Sequence, residues 1–515
     1  KSALFADFDN DGNEDLLLIR FAGQVDANDK TRTNKGEEIV LYKNLGDGKF
    51  VQTKSISKEF KSRYAMPATM ADFNKDGLLD FYVGFPGVKD FTSSVFDMPA
   101  KDVAVQGLFW NKGDLQLAMA PIEQPGHEAT KERSANQMLY PHSALAADYD
   151  LDGDMDILVV DDRGNISPAY QNDGSGTFRQ SNQDIQVANQ GYGMGVTATD
   201  YNNDGVMDLL FSNVTTLASM RITESCQQNW GYTFPAKQNV KSLRLYRGLG
   251  NGKFAEATEE AGLTWAGEGL AGVEFTDYNS DGFQDIAVTN GLWSGTDSSE
   301  LMGSIFFART NGRVQQTEID ETSDGTVSAV MKALAAPGKT TASLAGNQHK
   351  RLFRNLGNGK FLEVGHVENF TSKADGYVIA KTDLNRDGKV DLVLRNGDPG
   401  TKSVNFSPVE VFENQNAEGN FAVRLELKGG EKSNRNAIGS IVKVRTGKTW
   451  QVQQVLSANG TVQSEKALVF GLGKATRADE VLVRWPSGKQ TTHTGIKSGI
   501  YYLDEDSAKI QLGAR

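Results

Sequence analysis

The sequence predicts an all-β protein: a seven-bladed β-propeller over residues 1–421, followed by a small β-sandwich or barrel over 422–515. Three observations predict it. A nine-residue acidic pattern occurs six times. Each copy lies between short apolar runs of strand character, and a Gly-rich hairpin motif follows each copy. One unit is therefore strand, acidic loop, strand, hairpin. Four strands per unit, repeated at intervals of roughly 50 to 75 residues, match propeller blades, whose sheets close their core only against neighbours.

The pattern is Asp-x-(Asp/Asn)-x-Asp-Gly-x-x-Asp. Its odd positions are Asp7, Asp9, Asp11, Asn13 and Asp15 in the first copy, and Asp72, Asn74, Asp76, Leu78 and Asp80 in the second. The third has Asp148, Asp150, Asp152, Asp154 and Asp156; the fourth has Asp200, Asn202, Asp204, Val206 and Asp208. The fifth has Asp277, Asn279, Asp281, Phe283 and Asp285, and the sixth has Asp383, Asn385, Asp387, Lys389 and Asp391. The runs that follow, such as Leu16–Ile19, Ile157–Val160 and Leu392–Leu394, are continuously apolar, as strands buried on both faces require.

The hairpin motif reads Leu41–Phe50, Ala169–Phe178, Leu245–Phe254 and Leu352–Phe361, with weaker versions at Leu108–Gly113 and from Val411 to Phe421. Its Asp-Gly and Asn-Gly steps favour tight turns, because Gly and Asn accept positive φ at low cost. Between the fifth and sixth copies the starts are 106 residues apart, too far for one blade. Ile305–Val314, Thr326–Leu334 and Thr340–Leu344 are read as a seventh blade that has lost its acidic loop. An inserted helix over 327–336 is the alternative.

The acidic loop has the chemistry of a Ca²⁺ site. Side chains at positions one, three and five converge only around a sharp turn, which Gly at position six permits. Position seven varies from Asn13 to Phe283 to Lys389, so a backbone carbonyl rather than a side chain is the expected ligand there. Position nine is always Asp. All-oxygen ligation suits a hard cation, and the absence of Cys and His from the loops argues against zinc. An EF-hand needs Glu at position twelve; here Leu18, Val83, Val159, Phe211, Val288 and Leu394 stand there. About six Ca²⁺ ions are expected on this ligand logic. The loops at Asp7 and Asp148 carry Asp at position three, and are expected to bind tightest.

These residues resemble the FG-GAP or VCBS repeats of calcium-binding propellers, including integrin α-subunit heads. In the tail, Ser433–Gly439, Phe470–Gly473 and Val483–Gly488 resemble the ASPIC/UnbV domain. Repeats followed by that domain are the layout of bacterial relatives of cartilage acidic protein. The resemblance implies a secreted or surface calcium-binding protein with adhesive or matrix roles and no established catalytic residues. Read from its own residues, the tail is all-β: Ala422–Leu427, Ile441–Arg445 and Glu480–Trp485 are strand-like, with turns at Gly439, Gly471, Gly473 and Gly488. Asn434, Arg435 and Asn436 form a polar cluster, read as loop-stabilising or ligand-recognising.

Composition narrows the function. The chain has 515 residues, a formal charge of −12 and a pI near 5.1, which disfavour nucleic acid or an anionic membrane surface as partner. No apolar run approaches a spanning length. Lys1 opens directly into a strand, so a processed or trimmed N-terminus is expected. The single cysteine, Cys226, cannot close an internal disulfide and is read as a buried small side chain. His127, His142, His349, His366 and His493 form no metalloprotease spacing, and no GxSxG or P-loop motif occurs. Insertions at 87–139 and 215–241, and Trp230, Tyr232, Trp265 and Trp293, are candidate partner contacts, with packing roles the competing reading for the aromatics.

The expectation is an extracellular or surface protein (periplasm included) presenting a rigid propeller to protein, glycan or matrix, and not an enzyme. Two alternatives are a self-assembling surface filament or layer, and a polysaccharide lyase or hydrolase on the same scaffold.

Overall fold

The computed structural model describes residues 2–19, 39–53, 67–85, 105–122, 139, 141–162, 166–214, 241–264, 266–267, 269–291, 294, 346–397, 408–415, 418–459, 462–507 and 509–513. Their architecture is all-β, with one four-residue helical turn at Asn182–Ile185. No helix among them is long and apolar enough to cross a membrane.

Six repeat sheets follow one another along the chain. The first is Ser2–Ala6, Asp15–Ile19, Ile39–Asn44 and Phe50–Gln52, paired antiparallel in that order. The second runs from Ala68–Ala71 to Leu117–Ala120, the third from Pro141–Ala147 to Phe178–Gln180, and the fourth from Tyr192–Thr199 to Phe254–Glu256. The fifth runs from Val273–Thr276 to Phe361–Glu363. The sixth has three strands: Gly376–Thr382, Asp391–Asn396 and Val409–Phe412. The first strands of the second to sixth sheets lie side by side in chain order. The first sheet joins the second through Phe8, whose ring meets Phe81 edge-on. Second strands such as Asp80–Phe85 and Asp156–Asp161 are buried along their whole length, as their unbroken apolar runs require.

One expectation needs adjustment, and others fall on residues outside those described. Phe421 does not end a sixth hairpin; it opens the strand Phe421–Lys428 of the tail, which pairs parallel with Gly499–Asp504. That alternating segment serves the tail sheet. The degenerate blade at 305–344 lies outside the described residues. The connection that contains it joins Asp285–Val288 to Arg351–Asn355, second and third strands of one sheet. Cys226, Trp230, Tyr232, Trp265 and Trp293 also lie outside the described residues.

The tail is a two-sheet sandwich. One sheet is Leu468–Gly473, Phe421–Lys428, Gly499–Asp504 and Lys509–Leu512; the other is Thr449–Gln454, Ile441–Thr446, Arg477–Arg484 and Gln490–Lys497. Val423, Leu425, Val442, Val444, Phe470, Val481, Val483 and Trp485 fill the space between them. This core continues into the first three repeat sheets through residues such as Met70, Phe73 and Met155.

The antiparallel order places each acidic loop, between first and second strands, at one end of its sheet. The second-to-third connections leave from the opposite end. The tail docks at the acidic-loop end, as the contacts below establish.

Candidate metal centres

All six loops share one backbone form. Gly12, Gly77, Gly153, Gly205, Gly282 and Gly388 hold φ between +87° and +106°, a region open to Gly without strain. Position four is also left-handed, at Asn10, Lys75, Leu151, Asn203, Ser280 and Arg386.

This turn aims backbone N–H groups at the carboxylates. In the second loop, Asp72 Oδ1 accepts from Asp76 N at 3.0 Å and its Oδ2 from Gly77 N at 2.9 Å. The first, fourth, fifth and sixth loops repeat both bonds. Position five accepts from the position-seven N–H in every loop, as Asp204 does from Val206 at 2.9 Å.

Position nine ties the loop to the third strand. Asp80 Oδ1 accepts from Asn111 N at 2.8 Å, and Asp15, Asp156, Asp208, Asp285 and Asp391 do the same with Asn44, Asn172, Gly248, Asn355 and Asn414. The side chain of that asparagine then bridges sheets. Asn111, Asn172, Asn355 and Asn414 donate to the carbonyls of Phe8, Phe73, Tyr201 and Tyr278 in the preceding sheet. The sequence carried the signal, an Asn repeated in the hairpin motif, but not its partner.

Burial raises these carboxyl pKa values. Asp15 and Asp72 are pushed to about 6, Asp148 and Asp200 to about 7, and Asp80 to about 8, each chiefly by desolvation. Asp156, Asp208, Asp277 and Asp285 are raised strongly for the same reason. Two neighbouring buried carboxylates cannot both ionise cheaply without a cation between them.

Two loops bring three carboxylates together. One oxygen from each of Asp7, Asp9 and Asp15, and from each of Asp148, Asp150 and Asp152, lies within 4.8 Å of the others in its set. In the third loop, Asp148 Oδ1 and Asp156 Oδ2 are buried without a hydrogen-bond partner. Orphaned anionic oxygens facing an all-oxygen donor set fit a hard divalent cation such as Ca²⁺, which would supply the missing positive charge and tie the loop's ends together. In the four loops with Asn at position three, Asn74, Asn202 and Asn279 donate to Asp76, Asp204 and Asp281 two residues on, whereas Asn385 donates to Glu413.

The tail contacts the loops directly. Asn436 Oδ1 accepts from Asp7 N at 2.7 Å, and Arg435 N donates to Asn10 Oδ1 at 2.9 Å. Asn434 bonds Ile438 within its own turn. The polar cluster thus both shapes its loop and fastens the tail to the first acidic loop. Gln454 accepts from Asp148 N, Arg484 pairs with Asp148, and Arg424 Nε lies 3.5 Å from Asp383 Oδ2. Gly473 N donates to Ser280 O in the fifth loop at 3.0 Å.

Two of the described histidines bond backbone carbonyls away from the loops. His142 Nδ1 meets Met194 O at 3.1 Å and His349 Nδ1 meets Thr371 O at 2.7 Å.

Parts of the chain are similar to two known families. The FG-GAP-like repeat family matches residues 7–83 and 148–211, which hold the first four acidic loops. The ASPIC and UnbV family matches 430–509, the body of the tail sandwich. Those segments are thus similar to FG-GAP-like repeats and to an ASPIC and UnbV domain. Cartilage acidic protein 1 of Mus musculus is 26% identical over 285 residues, 51% of this chain and 42% of the relative. The Homo sapiens protein is likewise 26% identical, over 51% of this chain and 41% of its own length. The matched region thus spans less than half the length of these relatives. Among solved structures, a Bacillus licheniformis rhamnogalacturonan lyase is 10% identical, with a TM-score of 0.33 over 80% of this chain and 71% of its own. An exotype rhamnogalacturonan lyase gives 0.32. A likeness this low carries no argument about the activity of this chain.

Proposed function

We propose that this protein is an extracellular, calcium-stabilised scaffold that presents its propeller to a protein, glycan or matrix partner, and that its role is binding rather than catalysis. The observation that carries the reading is the third loop, where Asp148 Oδ1 and Asp156 Oδ2 are buried without a hydrogen-bond partner although the turn keeps the bonds from Gly153 N and Asp154 N. The same backbone form in five further loops supports about six ions, one per loop. The family of the repeats and the name of the relatives, cartilage acidic protein 1, support an extracellular setting.

The test is a metal count by native mass spectrometry on protein dialysed against CaCl₂, with thermal melting with and without EGTA. About six bound ions and a lower melting point in EGTA are expected. A protein that takes up no calcium and melts at one temperature in both buffers refutes the reading. Turnover on acidic polysaccharides would refute the non-catalytic part.

A further inference from the structure

The residue before the loop-binding asparagine (glycine in the fourth sheet) occupies the same place in every repeat sheet. It is Lys43, Trp110, Gln171, Arg247, Arg354 and Glu413 in order. The next backbone N–H is held by the position-nine carboxylate, so this residue always stands beside the loop. In four sheets its side chain reaches loop positions three or five. Lys43 Nζ pairs with Asp9 and lies 3.1 Å from Asp11 Oδ2. Gln171 Nε2 donates to Asp150 Oδ2 at 2.7 Å. Arg354 lies 3.8 Å from Asp281 Oδ2, and Glu413 Oε1 accepts from Asn385 Nδ2 at 3.3 Å. Arg247 turns instead to Glu260 at 3.3 Å.

We propose that this third-strand position ranks the loops for divalent cations, and that Lys43 is a resident counter-cation that competes for the first loop. The inference rests on the calcium reading of the loops and deepens it. Aspartates at positions one, three, five and nine rank the first and third loops as equals, since both carry Asp at all four. Their third-strand neighbours differ in charge. The Lys43 ammonium stands on Asp9, one of the three carboxylates gathered in that loop, whereas the third loop meets the neutral amide of Gln171 from its third strand and takes its cations, Arg484 on Asp148 and Lys75 on Asp154, from other elements. A single positive charge about 5 Å from a dication, at a dielectric between protein surface and water, corresponds to roughly a tenfold or larger loss of affinity. Glu413 has the opposite sign and strengthens the sixth loop despite its Asn385.

The test is calorimetric titration of the full chain with CaCl₂, with bound ions counted by native mass spectrometry. Lys43→Gln gives the first loop the neighbour that the third one has. It should strengthen one site by about tenfold, and adding Asp9→Ala should abolish that gain. Lys43→Arg keeps the charge and should leave the profile as it was. Gln171→Lys should weaken one tight site by a similar factor. Calcium uptake that is identical in wild type, Lys43→Gln and Gln171→Lys overturns the proposal and leaves the calcium reading intact, as does an equal gain from Lys43→Arg. A wild-type chain that binds no calcium overturns both.

Discussion

Replacing Asn355 with Ala tests whether the sheets are held together through the asparagine that follows the ranking position. Asn355 is 2% exposed. Its Nδ2 donates to Tyr201 O in the fourth sheet at 2.8 Å and to Gln284 O in its own sheet at 3.0 Å, while Oδ1 accepts from Gly357 N at 3.0 Å. Truncation leaves two buried carbonyls and one amide without partners. At about 1 kcal/mol per neutral hydrogen bond, with the added cost of stranding buried groups, the loss is roughly 2–4 kcal/mol. An unfolding entropy of roughly 2 cal/mol/K per residue turns 3 kcal/mol into a fall of about 3 °C in a unit of this size. Asn44 is the internal control. It is partly exposed and bonds Glu14 O and Gly46 N within the first sheet, so water replaces much of what Asn44→Ala removes, and the loss there is roughly 1 kcal/mol or less. Differential scanning calorimetry in saturating CaCl₂ compares the two. Equal falls for Asn44→Ala and Asn355→Ala, or no fall for Asn355→Ala, refute the inter-sheet role.

Acid should act with opposite sign on the two forms of the protein. Without calcium, Asp72, Asp148, Asp200 and Asp80 bind protons in the fold at about 6, 7, 7 and 8, whereas an unfolded Asp does so near 4. The folded state therefore takes up protons between roughly pH 4 and 8, and its stability is lost as pH rises through that window. The EGTA-treated chain is expected to melt higher at pH 5.5 than at pH 8, and the calcium-loaded chain lower, since protons compete for the same oxygens. Melting curves at both pH values check this; an EGTA form that weakens on acidification contradicts it. Gly471→Ala should loosen the tail from the fifth loop. A Cβ there stands 2.1 Å from Asp277 Oδ2 and 2.5 Å from the Ser280 carbonyl carbon, so backbone has to move. The expected cost is about 1–3 kcal/mol, read as faster proteolytic cleavage between sheet and tail at 413–421. Unchanged cleavage and melting refute the contact.

Much of the site was legible because its chemistry restricts residue type. Position six must turn through positive φ, so it is Gly in all six copies; positions one and nine must offer carboxylates to N–H groups, so they are Asp. Position four was not legible. Asn10, Lys75, Leu151, Asn203, Ser280 and Arg386 share a left-handed backbone but no side-chain chemistry, because the turn's hydrogen bonds impose it. Strand existence followed from apolar runs, but partners at long range did not. Asn355 and Tyr201 are 154 residues apart, and nothing local in either names the other. The docking of the tail was hidden for the same reason. Gln454 and Arg484 read as ordinary polar residues of a sandwich, and Asn436 as loop-stabilising or ligand-recognising, until the fold sets them on Asp7 and Asp148. Gly248 marks a real local departure: a Cβ there meets Met207 O at 2.3 Å, so the fourth sheet cannot carry the bridging asparagine.

The arrangement favours calcium as a staple over calcium as a switch. A switch needs an element with two packings, as when helices open around an EF-hand loop. Here each loop joins adjacent antiparallel strands whose register continues directly from it, as at Ala6↔Asp15 and Ala71↔Asp80. Its position-nine carboxylate is bonded to a third strand, and four loops are bonded to the tail by hydrogen bonds or ion pairs. Moving one loop would break bonds in two or three sheets at once, so ion binding adds stability to one arrangement rather than selecting between two. The charge leads to the same conclusion. On the proposed count, six divalent ions would carry +12 against a formal −12 and leave the loaded protein near neutral. Near neutrality also removes long-range electrostatic steering as a means of finding a partner. Recognition then depends on shape and local chemistry.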